Sequence, residues 1–188
     1  PEFIADQCVG CMECVTECPD SAIQAKVVEP NALEEGLGGV PDPARRESFR
    51  RQFAVTNKYF RQIEKQGQAG GLFGIFIDPT KCKGCAECVD VCGEHRALRM
   101  VPKTEETLEW FKEAFHFRRD LPETPARFLN EKSLADVMLA DASWLYSGGA
   151  GSCMGCGEAT AIRMMLAATG FAYGPESVAI VSATGCNS

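Results

Sequence analysis

The sequence lacks any apolar stretch long enough to cross a membrane as a helix. A spanning helix needs roughly 18 or more consecutive apolar residues, and the longest clear run, Gly70 to Ile77, has only the length of a strand. The N-terminal segment, PEFIADQCVG, lacks the basic and apolar regions of a secretory signal peptide. We therefore expect a cytoplasmic protein without a membrane span.

Positive charge and histidine are also scarce. The chain has 19 Lys and Arg against 26 Asp and Glu, so its formal net charge is −7. Nucleic-acid binding needs a basic surface that contacts phosphates, so this balance excludes a general nucleic-acid-binding function. His95 and His116 are isolated among charged neighbours, and we assign neither of them a role.

Cysteine, in contrast, is abundant and closely spaced. The 188 residues include eleven cysteines, at positions 8, 11, 14, 18, 82, 85, 88, 92, 153, 156 and 186. Such tight, repeated spacing favours metal ligation over the disulfide framework of a small secreted domain. The cysteines fall into groups of four, four and three, so a four-ligand third site would be one cysteine short.

The first two groups form an internal repeat. The stretches CVGCMECVTECPDSAI, from Cys8, and CKGCAECVDVCGEHRAL, from Cys82, share the spacing CxxCxxCxxxC. In this pattern the first three thiolates bind one 4Fe-4S cluster, and the fourth binds the other cluster. A pair of zinc sites is the alternative, but such sites use two CxxC pairs for each metal.

The repeat therefore predicts two clusters with crossed ligands. The predicted ligands are Cys8, Cys11, Cys14 and Cys92 for the first cluster, and Cys82, Cys85, Cys88 and Cys18 for the second. At Gly10 and Gly84 we expect the backbone to approach the sulfides, where a side chain would crowd them. Gly93 replaces the proline expected after Cys92, which predicts altered loop rigidity without loss of the cluster.

Short apolar segments predict strands around the clusters. They contain Ile23, Val27, Val28, Ile75, Ile77, Leu98 and Met100. With these strands, this part of the chain resembles a bacterial-type two-cluster ferredoxin with a long insert.

The insert occupies residues 30–70. Its first part, PNALEEGLGGVPDPA, is rich in proline and glycine and predicts a loop, and Ala44 to Gln66 predicts one locally basic helix. The apolar side of that helix comprises Phe49, Phe53, Phe60 and Ile63. The helix has two possible roles: a surface cover of the cluster domain, or a docking face for an acidic carrier such as ferredoxin.

Two helices are predicted to connect the cluster domain to the last cysteine group. Thr104 predicts the N-cap of the first, which continues to Asp120. Its inward-facing residues are predicted to be Leu108, Phe111 and Phe115. The second predicted helix runs from Asn130 to Trp144.

The third cysteine group lies in a segment of different character. A Gly-rich stretch leads to the CxxC motif CMGC and then to a predicted helix from Glu158 to Ala168, which Gly170 ends. Val178 to Ser182 predicts a buried parallel strand, and residues 183–187 follow at its carboxyl end, where open α/β sheets bind ligands. By itself the CxxC motif is equally consistent with structural zinc, a redox dithiol or a cluster.

Taken together, the motifs resemble a known enzyme family. The order of a two-cluster module, a linker, GxCxxCGE and a strand that ends in ATGC is similar to that of the thiamine-diphosphate-dependent 2-oxoacid:ferredoxin oxidoreductases. This resemblance implies that Cys153, Cys156 and Cys186 hold a third 4Fe-4S cluster, whose fourth ligand lies outside this chain. It also implies a pocket for thiamine diphosphate and Mg²⁺, with Glu158 as a catalytic residue and Cys186 as part of the wall.

The implied reaction is the oxidative decarboxylation of a 2-oxoacid with coenzyme A, which yields an acyl-CoA and CO2. Electrons would pass through three 4Fe-4S clusters to ferredoxin or flavodoxin. Pyruvate is the leading substrate, because the resemblance is greatest to enzymes in which the cluster module and the thiamine domain share one chain. A homodimer is also expected. The alternative is a non-catalytic, polyferredoxin-type electron-transfer subunit.

The predicted fold class is α+β, in three parts. Residues 1–102 are expected to form the two-cluster ferredoxin-like domain, with a helical insert at about 30–70, and residues 103–145 a helical connector. Residues 146–188 are expected to begin an α/β thiamine-diphosphate-binding domain. Because the Gly-Asp-Gly-like magnesium-binding segment of the family is absent, we expect the chain to be part of a larger polypeptide.

Overall fold

The computed structural model of the chain describes residues 1–140, 146–149 and 151–181. The strands are β1 (Glu2–Phe3), β2 (Ile23–Val28), β3 (Phe53–Ala54), β4 (Leu72–Ile77) and β5 (Leu98–Arg99). The α-helices are α1 (Glu13–Thr16), α2 (Pro30–Gly38), α3 (Pro43–Arg50), α4 (Gln62–Lys65), α5 (Glu87–Cys92), α6 (Glu105–Asp120), α7 (Leu134–Val137) and α8 (Gly157–Tyr173). This mixture of helices and small sheets agrees with the predicted α+β class.

Two antiparallel sheets join the two halves of the cysteine repeat. One sheet pairs β1 with β5, and the other has the order β2-β4-β3. In the larger sheet Ile23 lies opposite Ile77 and Val28 opposite Leu72. The strand that follows the first cysteine motif therefore pairs with the strand that precedes the second. The predicted strands are confirmed, except that Met100 lies outside β5.

The apolar side chains form two buried groups on either side of the sheet. The first includes Phe73, Ile75 and Leu98 and contains or contacts six of the eight cysteines of the repeat. In the second group, α2 and α3 of the insert pack against α6, and Phe49 stacks on Phe117 with ring centroids 4.8 Å apart. Such stacked aromatic pairs add to the stabilisation that apolar burial provides.

The insert differs from its prediction in two ways. The segment expected to be a loop contains α2, which begins at Pro30, a residue favoured in the first turn of a helix. The single helix expected from Ala44 to Gln66 is wrong: α3 ends at Arg50, and a π-helical turn at Asn57–Arg61 precedes α4. Between them β3 pairs with β4, with Phe53 opposite Gly74. This sheet pairing overrides the local helical pattern.

The connector agrees with prediction in its first half only. Thr104 caps α6, and a capping box with Thr107 completes the helix start. The second helix, predicted from Asn130 to Trp144, is wrong in the described part, where only α7 is helical. The Asn130 side chain accepts a hydrogen bond from the backbone N–H of Lys132 and so favours a turn over a helix start. Residues 141–145 lie outside the described residues.

The last segment also departs from its prediction. Helix α8 continues past Gly170, which is buried within it, and ends before Gly174, which has a φ of +85°. The strand predicted from Val178 is wrong for residues 178–181, which are not in a strand; Ser182 lies outside the described residues. Val181 is 98% exposed, and residues 178–181 pair with no strand of the described part of the chain. The start of an α/β domain remains a prediction.

Among the described residues, no helix combines the length and the apolar character that a membrane span requires.

We predict different effects for two Gly to Ala substitutions. A Cβ at Gly71 would collide with Cγ1 of Val27 and lie 2.7 Å from the ring of Phe128, whereas a Cβ at Gly38 would meet no atom of the described residues within 4 Å. Gly71→Ala should lower the free energy of unfolding by about 1–3 kcal/mol through overpacking. Gly38→Ala should be neutral or raise it by up to about 1 kcal/mol, because alanine favours the helix. Denaturant titration of the two cluster-loaded variants would measure this, and equal effects would contradict it.

Candidate iron-sulfur site

The four cysteines predicted for the first cluster line a common cavity. We call Cys8, Cys11, Cys14 and Cys92 the first quartet. Cys8 and Cys11 lie before α1, and Cys14 lies on α1. Cys92 is the last residue of α5. The walls of the cavity also include Met12, Phe73, Ile75 and Leu98, so the cysteines face apolar surroundings.

The remaining four cysteines of the repeat line a second cavity. We call Cys18, Cys82, Cys85 and Cys88 the second quartet. Besides Cys18, the first motif and the residues after it contribute Pro19, Asp20, Ala22 and Ile23 to the walls of this cavity. In each cavity, therefore, one cysteine comes from the other motif, which is the juxtaposition that crossed ligation requires. Ligation itself remains a prediction.

The arrangement suits clusters better than single ions. No group of three or more His, Cys, Asp or Glu in the described part of the chain could hold one metal ion. A 4Fe-4S cluster takes one cysteine at each of four irons, so its ligands surround a cube instead of converging on one atom. The two cavities, each with four cysteines on its walls, fit that requirement.

The two motif loops have the same unusual backbone. Gly10 and Gly84 occupy the same position in the two motifs and have φ values of +76° and +80°. Met12 and Ala86, each two residues later, also have positive φ values, +74° and +71°. A positive φ favours glycine, which explains both glycines. A Cβ at Gly10 would lie 3.1 Å from the Tyr59 ring, whereas one at Gly84 would meet no described atom within 4 Å. The observed conformation thus favours glycine at both positions, and the crowding of sulfides by a side chain there remains a prediction.

The turn after Cys92 explains the missing proline. Gly93 adopts φ 49° and ψ −123°, a conformation that proline cannot reach because its φ is held near −65°. The residues Gly93–His95 form a 3-10 turn, after which the backbone N–H of Ala97 donates to Sγ of Cys92 at 3.2 Å. The altered turn keeps Cys92 in the first cavity.

Tyr59 supports the first quartet, and the spacing of motifs could not reveal it. Its buried ring lies beside Gly10 and stacks on Phe73 at a centroid distance of 5.3 Å. Its hydroxyl donates to Oδ1 of buried Asp136 at 2.8 Å, and Lys58 reaches the same oxygen at 2.5 Å. Burial and the nearby Asp136 carboxylate raise the pKa of Tyr59 above its usual range. The insert thus packs against a cysteine loop.

Burial strongly affects the cysteine thiols. It raises the pKa of Cys8 from 9.0 to about 11 and that of Cys88 to about 12. Burial is also the largest cause of the raised pKa of Cys14 and of Cys18. These thiols therefore keep their protons near neutral pH, and iron must displace the protons when it binds.

The third cysteine group is more exposed. Cys153 is exposed, and Cys156 is the N-cap of α8, where the backbone N–H of Ala159 lowers the pKa of its thiol. Glu158 is exposed in the first turn of the same helix. Cys186, the third predicted ligand, lies outside the described residues. The structure thus places Cys156 and Glu158 at the start of α8 and Cys153 in the exposed loop before it, and their roles remain predictions.

The CMGC loop packs against the second quartet. Nζ of Lys83, between Cys82 and Cys85, lies 3.2 Å from the carbonyl oxygen of Ser152 and 3.2 Å from Oδ1 of buried Asp20. A Cβ at Gly155 would lie 2.6 Å from Oε1 of Glu87 in α5. Direct contacts therefore join the third cysteine pair to the loop that carries three cysteines of the second quartet.

The basic residues of the insert are mostly engaged in contacts within the chain. Arg50 pairs with Glu34 and Glu47, each at 2.8–2.9 Å, and Arg45 pairs with Glu113 at 2.8 Å. Arg46 donates to the carbonyl oxygen of Val40, and Lys58 pairs with Asp136. These contacts favour the surface-cover interpretation, because they neutralise much of the charge that a docking face would use.

The cysteine repeat places the chain in a known class. Residues 7–98 match the family described as 4Fe-4S dicluster domain. These residues therefore form an iron-sulfur domain of the dicluster, ferredoxin-like type. The match falls within the part predicted as residues 1–102, whose boundaries remain predictions.

Relatives that align with the whole of this chain identify the family more closely. Pyruvate:ferredoxin oxidoreductase of Moorella thermoacetica is 30% identical over 190 residues. The pyruvate-flavodoxin oxidoreductase of Nostoc sp. is 29% identical over 197 residues, and the Escherichia coli protein named "Probable pyruvate-flavodoxin oxidoreductase" is 29% identical over 195. Each alignment covers 100% of this chain and 14% of the relative. The chain is a homologue of these oxidoreductases, which confirms the family predicted from the motifs.

Crossed ligation predicts which cysteine substitutions have the same effect. Cys92→Ser should alter the same reduced-state electron paramagnetic resonance signal as Cys11→Ser, because both residues line the first cavity. Cys18→Ser should instead reproduce the effect of Cys85→Ser. Spectra and iron contents of the four variants would check this. If Cys92→Ser matched Cys85→Ser, each motif would bind its own cluster and the assignment would be wrong.

Cluster affinity is predicted to rise with pH. The raised pKa values of Cys8 and Cys88 mean that the metal-free thiols carry protons that iron binding releases. As the pH rises from about 7 to about 9, the chelator concentration that removes half of the iron should therefore increase. This concentration is corrected for the protonation of the chelator itself. Visible absorbance would follow the loss. A corrected midpoint that does not change with pH would contradict this prediction.

Proposed function

We propose that this chain is the electron-transfer segment of a pyruvate:ferredoxin or pyruvate-flavodoxin oxidoreductase. The observations that carry the proposal are the match of the whole chain to a segment of enzymes of that name and the two cysteine quartets on two cavities. The chain spans 14% of the length of these relatives, so the activity of the whole protein is part of the proposal.

The two quartets would hold two 4Fe-4S clusters, and their surroundings suit electron transfer. Apolar walls and backbone donors to sulfur, such as the N–H of Ala97 at Cys92, are features that set the reduction potential of a cluster. Near the first quartet, Val9 is 43% exposed, which brings this cavity close to solvent. We therefore propose that electrons leave for ferredoxin or flavodoxin from this side.

The third cluster would lie on the opposite side of the second quartet. Its proposed ligands are Cys153, Cys156, Cys186 and one further residue. The contacts of Lys83 with Ser152 and Asp20 support its position beside the second quartet. The proposed order is third cluster, second quartet, first quartet. Thiamine diphosphate with Mg²⁺ would supply the electron sink for decarboxylation of the 2-oxoacid.

Glu158 is the described residue proposed to act at the thiamine pocket. It is exposed in the first turn of α8, one residue after Gly157, and so remains available to a part of the polypeptide beyond this chain. Coenzyme A as acyl acceptor, a homodimer and a cytoplasmic location also belong to the proposal.

The full-length protein provides the test. Iron and sulfide analysis should give three 4Fe-4S clusters. Addition of pyruvate, thiamine diphosphate, Mg²⁺ and coenzyme A should bleach the visible absorbance, because reduced clusters absorb less than oxidised ones. Anaerobic absorbance spectra would record the change, and ferredoxin or flavodoxin should restore the oxidised spectrum.

Two comparisons make this test specific. Replacement of pyruvate by 2-oxoglutarate would show which 2-oxoacid is used. Cys186→Ser should abolish the bleaching by pyruvate, while a chemical reductant still reduces both quartet clusters. If the loaded, unmodified protein kept its spectrum with every 2-oxoacid, a non-catalytic electron-transfer subunit would be the correct interpretation.

A further inference from the structure

Arg163 joins the helix of the third cysteine group to the loop between the two quartets. It lies on α8, and only 3% of the residue is exposed. Its Nε donates to the hydroxyl of Ser21 at 2.8 Å. Its Nη1 donates to the carbonyl oxygen of Val15, and to those of Thr16 and Cys18 at 3.2 Å each.

All four of these acceptors are uncharged. Within the described residues no carboxylate forms an ion pair with Arg163, and Asp78, which lines the same cleft, pairs with Lys81 at 3.7 Å. A buried guanidinium without a counter-charge is costly, because carbonyl oxygens replace only part of the lost hydration. A nearby anion would offset this cost.

Two cysteines, one from each quartet, lie close enough to Arg163 to act on its charge once they are ionised. Burial lowers the pKa of Arg163, and negative charge on Cys18, and to a smaller extent on Cys14, opposes this shift. A 4Fe-4S cluster with four thiolate ligands is an anion and becomes more negative when it is reduced. A fixed positive charge beside it therefore stabilises the reduced form and raises the reduction potential.

We infer that Arg163 is a positioning residue of the electron path: it holds α8 against the Cys18 loop and raises the reduction potential of the cluster in the second quartet. The geometry carries this inference, because the Arg163 side chain donates a hydrogen bond to the carbonyl oxygen of Cys18 and Arg163 belongs to the helix that Cys156 caps. The inference rests on the proposed ligation of a cluster by the second quartet, and not on the thiamine chemistry.

Two substitutions of Arg163 separate charge from shape. Arg163→Gln removes the charge but keeps an N–H donor, whereas Arg163→Lys keeps the charge. Arg51→Gln is the matched control, because the Arg51 side chain is 76% exposed and solvent screens its charge. All variants are made in the full-length protein.

Iron and sulfide are measured first, followed by a redox titration monitored by electron paramagnetic resonance. The second-quartet cluster is identified as the one whose signal changes in Cys18→Ser. Arg163→Gln should shift its midpoint to more negative potential, while Arg163→Lys and Arg51→Gln should remain near the unmodified value. Loss of this cluster from Arg163→Gln alone would equally support the inference, because the charge would then be needed to retain the anion.

Other outcomes would overturn the inference. An unchanged midpoint in loaded Arg163→Gln would show that the charge does not act on the cluster. Equal shifts, or equal cluster loss, in Arg163→Gln and Arg163→Lys would show that only the shape of arginine matters. Absence of iron from the unmodified protein would refute cluster ligation itself, and with it the proposed function on which the inference rests.

Discussion

The structure depends on one constraint: each cavity takes its four cysteines from both halves of the repeat. The pairing of β2 with β4 satisfies it, because Cys18 precedes β2 and Cys82 follows β4. The backbone N–H of Asp78 donates to the carbonyl oxygen of Ala22 at 2.7 Å and extends this pairing towards the cysteines. The insert between β2 and β4 leaves the sheet at the end remote from the cysteines. A long insertion there costs little in loop-closure entropy and need not disturb the cavities.

The insert nevertheless returns to the first cavity. Its helices α2 and α3 bury aromatic and aliphatic side chains against α6, and its π-helical turn brings Tyr59 beside Gly10. Asp136 of the connector accepts hydrogen bonds from both Tyr59 and Lys58, so the insert and the connector meet next to one cysteine loop. A buried polar network of this kind tends to specify one arrangement of the backbone around it. We therefore regard the insert as a support of the first cavity as well as a surface cover.

The features that the sequence predicts correctly are those fixed by local spacing. The CxxCxxCxxxC repeat, the Thr104 cap of α6 and the apolar strands β2 and β4 all depend on residues close together in the chain. The prediction of a single helix in the insert was wrong because β3 forms by pairing with β4, a partner distant in sequence. The strand predicted at residues 178–181 failed for a related reason, because no strand of the described residues lies beside this apolar run to pair with it. Tyr59 and Arg163 could not be predicted, since one aromatic or basic residue in a helical pattern carries no signal of a distant contact.

The charges around the second cavity show how metal binding and the position of α8 are connected. Lys83 and Asp20 compensate each other at 3.2 Å, whereas Arg163 has neutral acceptors only within the described chain. Without clusters, burial favours neutral thiols in the quartets, so the Arg163 charge is left with weak compensation. With clusters, the cysteines become part of an anion beside that charge, and the docked position of α8 gains an attraction that it otherwise lacks. Cluster binding and α8 docking should therefore favour each other by the same free energy, as thermodynamic linkage requires.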